Sequence, residues 1–240
     1  MTAAWLTGNM LAFDTETTGP DPLTARIVTA HAVECGPGGA LVRGSWLVNP
    51  EMPIPPEATA IHKVTDEMAA GGIPRSTAHV EIANVLLGAA ARGIPIVAMN
   101  ASYDLTVLNA GLTPLDQWRP PEDPLPAILD PHVIDRGLNP FRKGKRQLLD
   151  LAKSYKVRLG EAHSADGDAL MAARIVWAMA QNCKDIQHLT LDEMQGWQQA
   201  THRKWALQYR NHLRSQGKPS DVDDSWPIRK PTQTEERSAA

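Results

Sequence analysis

At 240 residues the chain is long enough for one good-sized domain plus an appendage, and its net charge of −3 excludes a general polyanion binder, so contact with a polyanion must come from local basic patches. No segment approaches the length of a membrane span, and the first residues lack the basic start and long apolar core of a secretory signal. The only cysteines, Cys35 and Cys183, show neither pairing nor metal-ligand spacing, which fits a reducing, cytoplasmic setting.

After a short N-terminal lead over residues 1–8, the apolar run Met10-Leu11-Ala12-Phe13 enters Asp14-Thr15-Glu16-Thr17-Thr18 and is broken at Gly19-Pro20. A short apolar run closed by turn residues predicts a buried strand. Side chains on a strand alternate, so Asp14 and Glu16 share a face, with Cα atoms about 7 Å apart. Two carboxylates placed there repel each other and lose hydration, a conflict that a hard cation between them removes. By itself an Asp-x-Glu pair is equally two solvated acids at a strand end.

Asp21 to Thr24 reads as a turn. Alternation from Arg26 to Glu34 predicts a second strand, Gly36 to Gly39 a turn, and Ala40 to Val48 a third strand of an antiparallel meander. Four prolines between Asn49 and Pro56 predict an extended loop. His62 follows within Ala60-Ile61-His62-Lys63-Val64-Thr65, either a surface histidine or a residue shaping a pocket. A helix is predicted to about Arg92, capped by Ser76 or Thr77, followed by a strand over Ile94–Met99. The next helix, Ser102 to Ala110, carries Asp104 in its first turn, where an acid also suits the helix dipole. Gly111 to Pro126 is a connector. Ala127 to Asp130 and Val133 to Asp135 form the last strand and its exit, with Asp130 and Asp135 as structural or supporting acids. Arg142-Lys143-Gly144-Lys145-Arg146 places four cations in five positions, a solvated loop or a phosphate contact. A short helix over Gln147–Tyr155 follows. His163 then precedes a helix that Ser164 would cap, which puts Asp168 near the end of the first turn and lets His163 and Asp168 face one site from loop and helix. That Ala-rich helix runs to about Ala180.

Beyond Asn182, apolar and aromatic residues from Leu191 to Leu213 recur at three- and four-residue spacing, which predicts a docked helix from Leu191 to about Gln216 within a C-terminal appendage of residues 183–216. The stretch from Thr201 to Lys218 holds Arg203, Lys204, Arg210, Arg214 and Lys218 without an acid. Residues 217–240 are polar and aperiodic and read as a disordered tail.

Asp14-x-Glu16, Asp104 with Asn100 four residues before it, and His163 with Asp168 five residues after it resemble the DEDDh family of 3′–5′ exonucleases, in its epsilon-like, proofreading branch. The resemblance spans Met10 to about Ala180, within an expected exonuclease domain of residues 9–182. It implies a ribonuclease H-like fold: an α/β domain with a mixed five-stranded sheet and helices on both faces. It further implies two Mg²⁺ or Mn²⁺ ions on Asp14, Glu16, Asp104 and Asp168, since an all-oxygen ligand set selects hard cations. His163 is implied as general base, with catalysis carried by Asp14, Glu16, Asp104, His163 and Asp168. Thr15, His62, Asn100, Arg142, Lys143, Lys145 and Arg146 are expected on the substrate. The implied substrate is nucleic acid with a single-stranded 3′ end, cut to nucleoside 5′-monophosphates. DNA and RNA remain open, because their discrimination rests on 2′-hydroxyl contacts that the motifs do not encode. A non-hydrolytic module would be expected to have lost one of the five residues, and all are present. A DNA polymerase or clamp is an expected partner through the C-terminal region, and no membrane is.

Overall fold

The computed structural model describes residues 2–112, 126–158 and 165–230, apart from the side chains of residues 165, 166 and 168. A short 3-10 turn, Ala4–Leu6, buries Trp5 and leads into β1 (Met10–Thr17), β2 (Ile27–Gly36) and β3 (Gly39–Asn49). Then come α1 (Pro56–His62), α2 (Asp66–Ala70), β4 (Ile73–Pro74), α3 (Arg75–Ala90), β5 (Ile96–Val97), α4 (Ala101–Leu112) and β6 (Ile128–Leu129). The chain ends in α5 (Pro131–Leu138), α6 (Leu148–Ser154), α7 (Ala165–Asn182), α8 (Lys184–Gln187) and α9 (Leu191–Ser215).

The strands form one mixed sheet in the order β4-β3-β2-β1-β5-β6, with β1, β2 and β3 antiparallel in succession and β5 and β6 parallel to β1. Among the described residues it has six strands rather than the expected five. The extra strand, β4, is a two-residue parallel addition at Val48↔Ile73 and Asn49↔Pro74, too short for any period to reveal. Gly72 permits the approach, because a Cβ there would lie 2.7 Å from the Leu47 carbonyl oxygen.

Alternation along β1 divides the core. Leu11 and Phe13 face α3 and α4, whereas Met10 and Ala12 face α7. The pleat therefore puts Asp14 and Glu16 on the α7 side and Thr15 on the α4 side.

Other expectations shift locally. The predicted strand over 94–99 shrinks to two paired residues. Residues 133–135 lie in α5, not in a strand exit, because Asp130 caps that helix and Pro131 occupies its first position, where a missing N–H costs nothing. Helix α3 starts at Arg75 directly after Pro74 without a side-chain cap, so Ser76 and Thr77 lie inside it.

The C-terminal residues depart most from expectation. Residues 217–230 are docked, not disordered: Trp226 is buried in the α3–α4 core, Arg210 donates to the Val222 carbonyl (2.5 Å) and the Arg229 N–H donates to Thr106 Oγ1 (2.8 Å). Residues 231–240 lie outside the described residues. Helix α9 closes the β6 edge of the sheet with side-chain amides. Gln195 accepts from the Ile128 N–H (3.0 Å) and donates to the Ile128 carbonyl (2.7 Å). Gln198, fully buried, donates to the same carbonyl (2.8 Å) and accepts from the Asp130 N–H (2.8 Å). Two glutamines thus supply the bonds that a further strand would make.

Candidate active site

The site forms where β1 outruns its neighbour. Strand β5 pairs with β1 at Leu11↔Ile96 and Ala12↔Val97, so among the described residues that side of β1 has no partner strand beyond Ala12. Asp104, on the first turn of α4, fills the opening: its Oδ1 accepts from the Thr15 N–H (3.1 Å) and from Thr15 Oγ1 (2.6 Å). The second sequence motif is thereby bonded to the residue lying between Asp14 and Glu16. Crevices outside the carboxyl ends of parallel strands are the usual ligand sites of such sheets.

Asp104 is almost fully buried, and burial pushes its carboxyl well above the usual range, against the two Thr15 bonds that pull it down. Asp130, also fully buried, adds like charge and is itself raised by burial. Among the described residues no Lys or Arg forms an ion pair with either acid. Asp130 is held by backbone instead, accepting from the N–H groups of Asn100 (3.0 Å), Ala101 (3.1 Å) and His132 (2.9 Å). It therefore ties the starts of α4 and α5 together and fixes the helix that carries Asp104.

A buried, uncompensated carboxylate beside two partly exposed carboxylates on one strand is a donor set that fits a hard divalent cation. Among the described residues no group of three or more His, Cys, Asp or Glu side chains is placed to hold a metal ion. Mg²⁺ commonly takes only one or two carboxylates and completes its shell with water and substrate phosphate. Asp168 lies in the first turn of α7, on the side of the sheet that Asp14 and Glu16 face. Its side chain, and His163 and Ser164 entirely, are outside the described residues.

The remaining expected residues fall differently. Thr15 points inward and its hydroxyl serves Asp104. Asn100 sits in left-handed backbone at φ 60°, which Asn tolerates, and its side-chain oxygen lies 3.3 Å from His132 Nδ1. His62 ends α1 close to β1; its Nδ1 accepts from the Val64 N–H (3.1 Å), burial lowers its pKa, and the Thr17 backbone opposes that effect without reaching hydrogen-bond geometry at Nε2. Lys63, the residue that closes α1, sits in left-handed backbone at φ 65°. The basic run divides into two pairs. Arg142 and Arg146 both bind fully buried Asp135, at 2.6 Å from Arg142 Nε and 2.8 Å from Arg146 Nε, so they hold the loop in place. Lys143 and Lys145 remain exposed.

The sequence did not single out Tyr103. Its hydroxyl bonds Thr17 Oγ1 and the Gly19 carbonyl, which locks the turn at the end of β1. The one available signal was a tyrosine directly before the helix acid.

The sequence profile of the exonuclease family RNase_T matches residues 11–176. The DNA polymerase III subunit epsilon of Treponema pallidum (strain Nichols) is 30% identical over 179 residues, 74% of this chain and 79% of that protein. A structure titled exonuclease X in complex with 5′ overhanging duplex DNA aligns with a TM-score of 0.57 at 26% identity, covering 79% of this chain and 98% of its own. E. coli exonuclease I in complex with a dT13 oligonucleotide aligns at 0.54 over 72% of this chain and 40% of its own; at 19% identity it shows the fold alone.

Proposed function

We propose, for a chain that belongs to the RNase_T exonuclease family and is itself a 3′–5′ exonuclease, that the substrate is a single-stranded DNA 3′ end and the products are nucleoside 5′-monophosphates. The observation that carries the site is the pair of Thr15 bonds to Asp104, which join the first two acidic motifs at the open end of β1. Asp14, Glu16, Asp104 and Asp168 would hold Mg²⁺ or Mn²⁺, two ions, and these when bound neutralise the clustered carboxylates and polarise the scissile phosphate. Only through the ions they would hold can these acids set the position of that phosphate for in-line attack by water. His163 takes the proton of the attacking water, a task suited to a near-neutral imidazole. The bond from phosphorus to the 3′ oxygen of the penultimate nucleotide breaks, and that oxygen leaves with a proton from solvent. Tyr103 and Thr17 keep the end of β1 rigid during this exchange.

DNA is favoured over RNA because the epsilon relative is named for a DNA polymerase and the exonuclease X structure contains DNA. Association with a DNA polymerase, in proofreading or repair and in the cytoplasm, is proposed on the same relative. Residues 183–230 fold back onto the domain, so a polymerase would meet a packed surface there, not a free tether. Among the described residues no helix is long and apolar enough to cross a membrane.

Matched DNA and RNA oligomers, incubated with Mn²⁺, test this reading. Release of mononucleotides from the 3′ end of DNA, lost in Asp14→Ala and reduced about 10²- to 10⁴-fold in His163→Ala with binding retained, is the expected result. Faster degradation of the RNA strand would replace the substrate assignment. A His163→Ala enzyme with unchanged rate and acidic pH limb would move the base elsewhere, with His62 next in line.

A further inference from the structure

Arg136, on α5, is the odd cation of this molecule. Its guanidinium stacks on the Trp205 ring at 3.4 Å from the centroid, yet its Nε is buried without a hydrogen-bond partner. Among the described residues no carboxylate lies within ion-pair distance of it, whereas nearby Arg142 and Arg146 share Asp135. Burial lowers its pKa to about 10, with Asp130 acting upward and Arg146 downward. A half-buried guanidinium left uncompensated is costly unless an anion completes it.

The space beside it can take one. Arg136, Arg146, Lys204, Thr201, Trp197 and Trp205 line a cavity of about 240 Å³ between α5, the 139–146 loop and α9. Gly137 forms part of its wall, because a Cβ there would come within 2.3 Å of the Trp197 ring. Three cations converge without an acid among the lining residues. Farther along α9, Trp205 stacks on Tyr209 (5.5 Å, 14°) and Tyr209 on His212 (6.4 Å, 24°), with Tyr209 42% exposed. Cations that track a backbone beside aromatic rings are the combination that binds single-stranded nucleic acid without regard to sequence.

We propose that this cavity is an accessory strand site: it takes a backbone phosphate of the single-stranded substrate upstream of its 3′ end, with the α9 rings as an aromatic ledge beside it. It rests on the reading that the substrate is a nucleic-acid strand. Helix α9 lies beyond the residues matched to the family, 11–176, whereas Arg136 and Arg146 lie within them, so the site joins two cations of the matched unit to Lys204 and the rings of α9. It also relocates the phosphate contact expected of the basic run. Arg142 is committed to Asp135, while Arg146 reaches the cavity wall from its own Asp135 bond.

The test compares Arg136→Met and Lys204→Gln with Arg203→Gln, which removes the same charge from α9 but lies by Asp224 (3.9 Å), outside the cavity lining. Binding of a long single strand with a phosphorothioate 3′ end is measured by fluorescence anisotropy across a salt series. Each cavity variant should bind about tenfold more weakly, the size of one charge-assisted contact, with a slope of log affinity on log salt shallower by about 0.7. Arg203→Gln should change little, and hydrolysis of a dinucleotide, which has no upstream strand to fill the cavity, should be unaltered in all three. Unchanged strand binding, an equal loss in Arg203→Gln, or an equal loss of dinucleotide hydrolysis would each overturn the proposal. A thermal shift by inorganic phosphate that Arg136→Met abolishes while strand binding persists would make the cavity a small-anion pocket, and likewise overturn it. Should Arg136→Met fail to fold, Lys204→Gln, whose side chain is exposed, decides alone. Strand binding through these residues by a chain that releases no mononucleotide would sink the catalytic reading and leave this one standing.

Discussion

The closure of the β6 edge by two glutamines makes a quantitative prediction. In Gln198→Ala the Asp130 N–H loses its partner at a position fully buried from water, which costs about 1–3 kcal/mol, and the vacated stem leaves a small void. The sum is about 3 kcal/mol, or a fall in melting temperature of about 6–12 °C for a chain of this size. Gln195 is only half-buried, so in Gln195→Ala water can reach the Ile128 N–H and the loss should be about 1 kcal/mol. Both glutamines donate to the Ile128 carbonyl, at 2.7 and 2.8 Å, so each single variant leaves that oxygen one donor. The double variant leaves it bare. The double-mutant cycle, followed by urea denaturation, should therefore show an extra loss of about 1 kcal/mol beyond the sum of the singles. Strict additivity would mean that the carbonyl is not shared and that α9 merely lies against the sheet.

Three further outcomes follow from particular residues. Lys63→Gly should raise stability by about 0.5–1 kcal/mol, because a glycine adopts φ 65° without the steric cost a side chain bears; a loss would show that the lysine side chain matters more to α1 than its strain. For Asp135, burial raises the pKa but bonds from Arg142, Tyr155 and Asn139 outweigh it, so the folded value lies below the ordinary one. Its stabilising contribution is then fully present above the unfolded pKa of about 3.9 and is lost as pH falls through the folded value. Asp135→Asn should remove that acid limb from a stability–pH profile and cost about 3–5 kcal/mol at neutral pH by stranding two guanidinium groups; an unchanged acid limb would assign it to other carboxylates. Trp226→Ala should cost about 3–5 kcal/mol in a denaturant titration, as for any large ring removed from a core, whereas a loose tail would lose nothing.

What could be read from the sequence divides along physical lines. Strand β1 and the two strands after it announced themselves because buried strands need apolar alternation, and their turns need glycine and proline. Strand spacing puts Asp14 and Glu16 on one face, whereas Asp104 was singled out only through the family resemblance; the structure bonds Asp104 to Thr15, a contact 89 residues apart that no local pattern encodes. Residues that meet through polar side chains were not legible. Gln195 and Gln198 have the composition of a solvated helix face, and only the three-dimensional position of β6 makes them edge partners. Asp135 and its arginines lie 7 and 11 positions apart, so the basic run read as one patch when it is two structural arginines and two exposed lysines. Trp226 sits in a segment without period, where a single buried ring leaves no signature.

The sorting of charge reconciles a net −3 chain with a polyanionic substrate. Acids gather at the open end of β1, while Arg136, Arg146 and Lys204 gather between α5 and α9. The docked segment after α9 sharpens this division: Asp224 lies 3.9 Å from both Arg203 and Arg210, which tempers the cations near that segment while Lys204 stays on the cavity side. The two regions should therefore differ in their dependence on divalent cations. Without cations, Asp14, Glu16 and Asp104 repel a phosphate, and hydrolysis should stop on chelation. The cavity needs no such ion, so a long strand should remain bound in excess chelator, with weakened affinity but with the Lys204-dependent part of its salt slope intact. Anisotropy of a labelled strand before and after chelation measures both. Complete release of the strand from the wild-type chain, at a salt concentration where it bound with Mg²⁺ present, would show that binding runs through the acidic end alone.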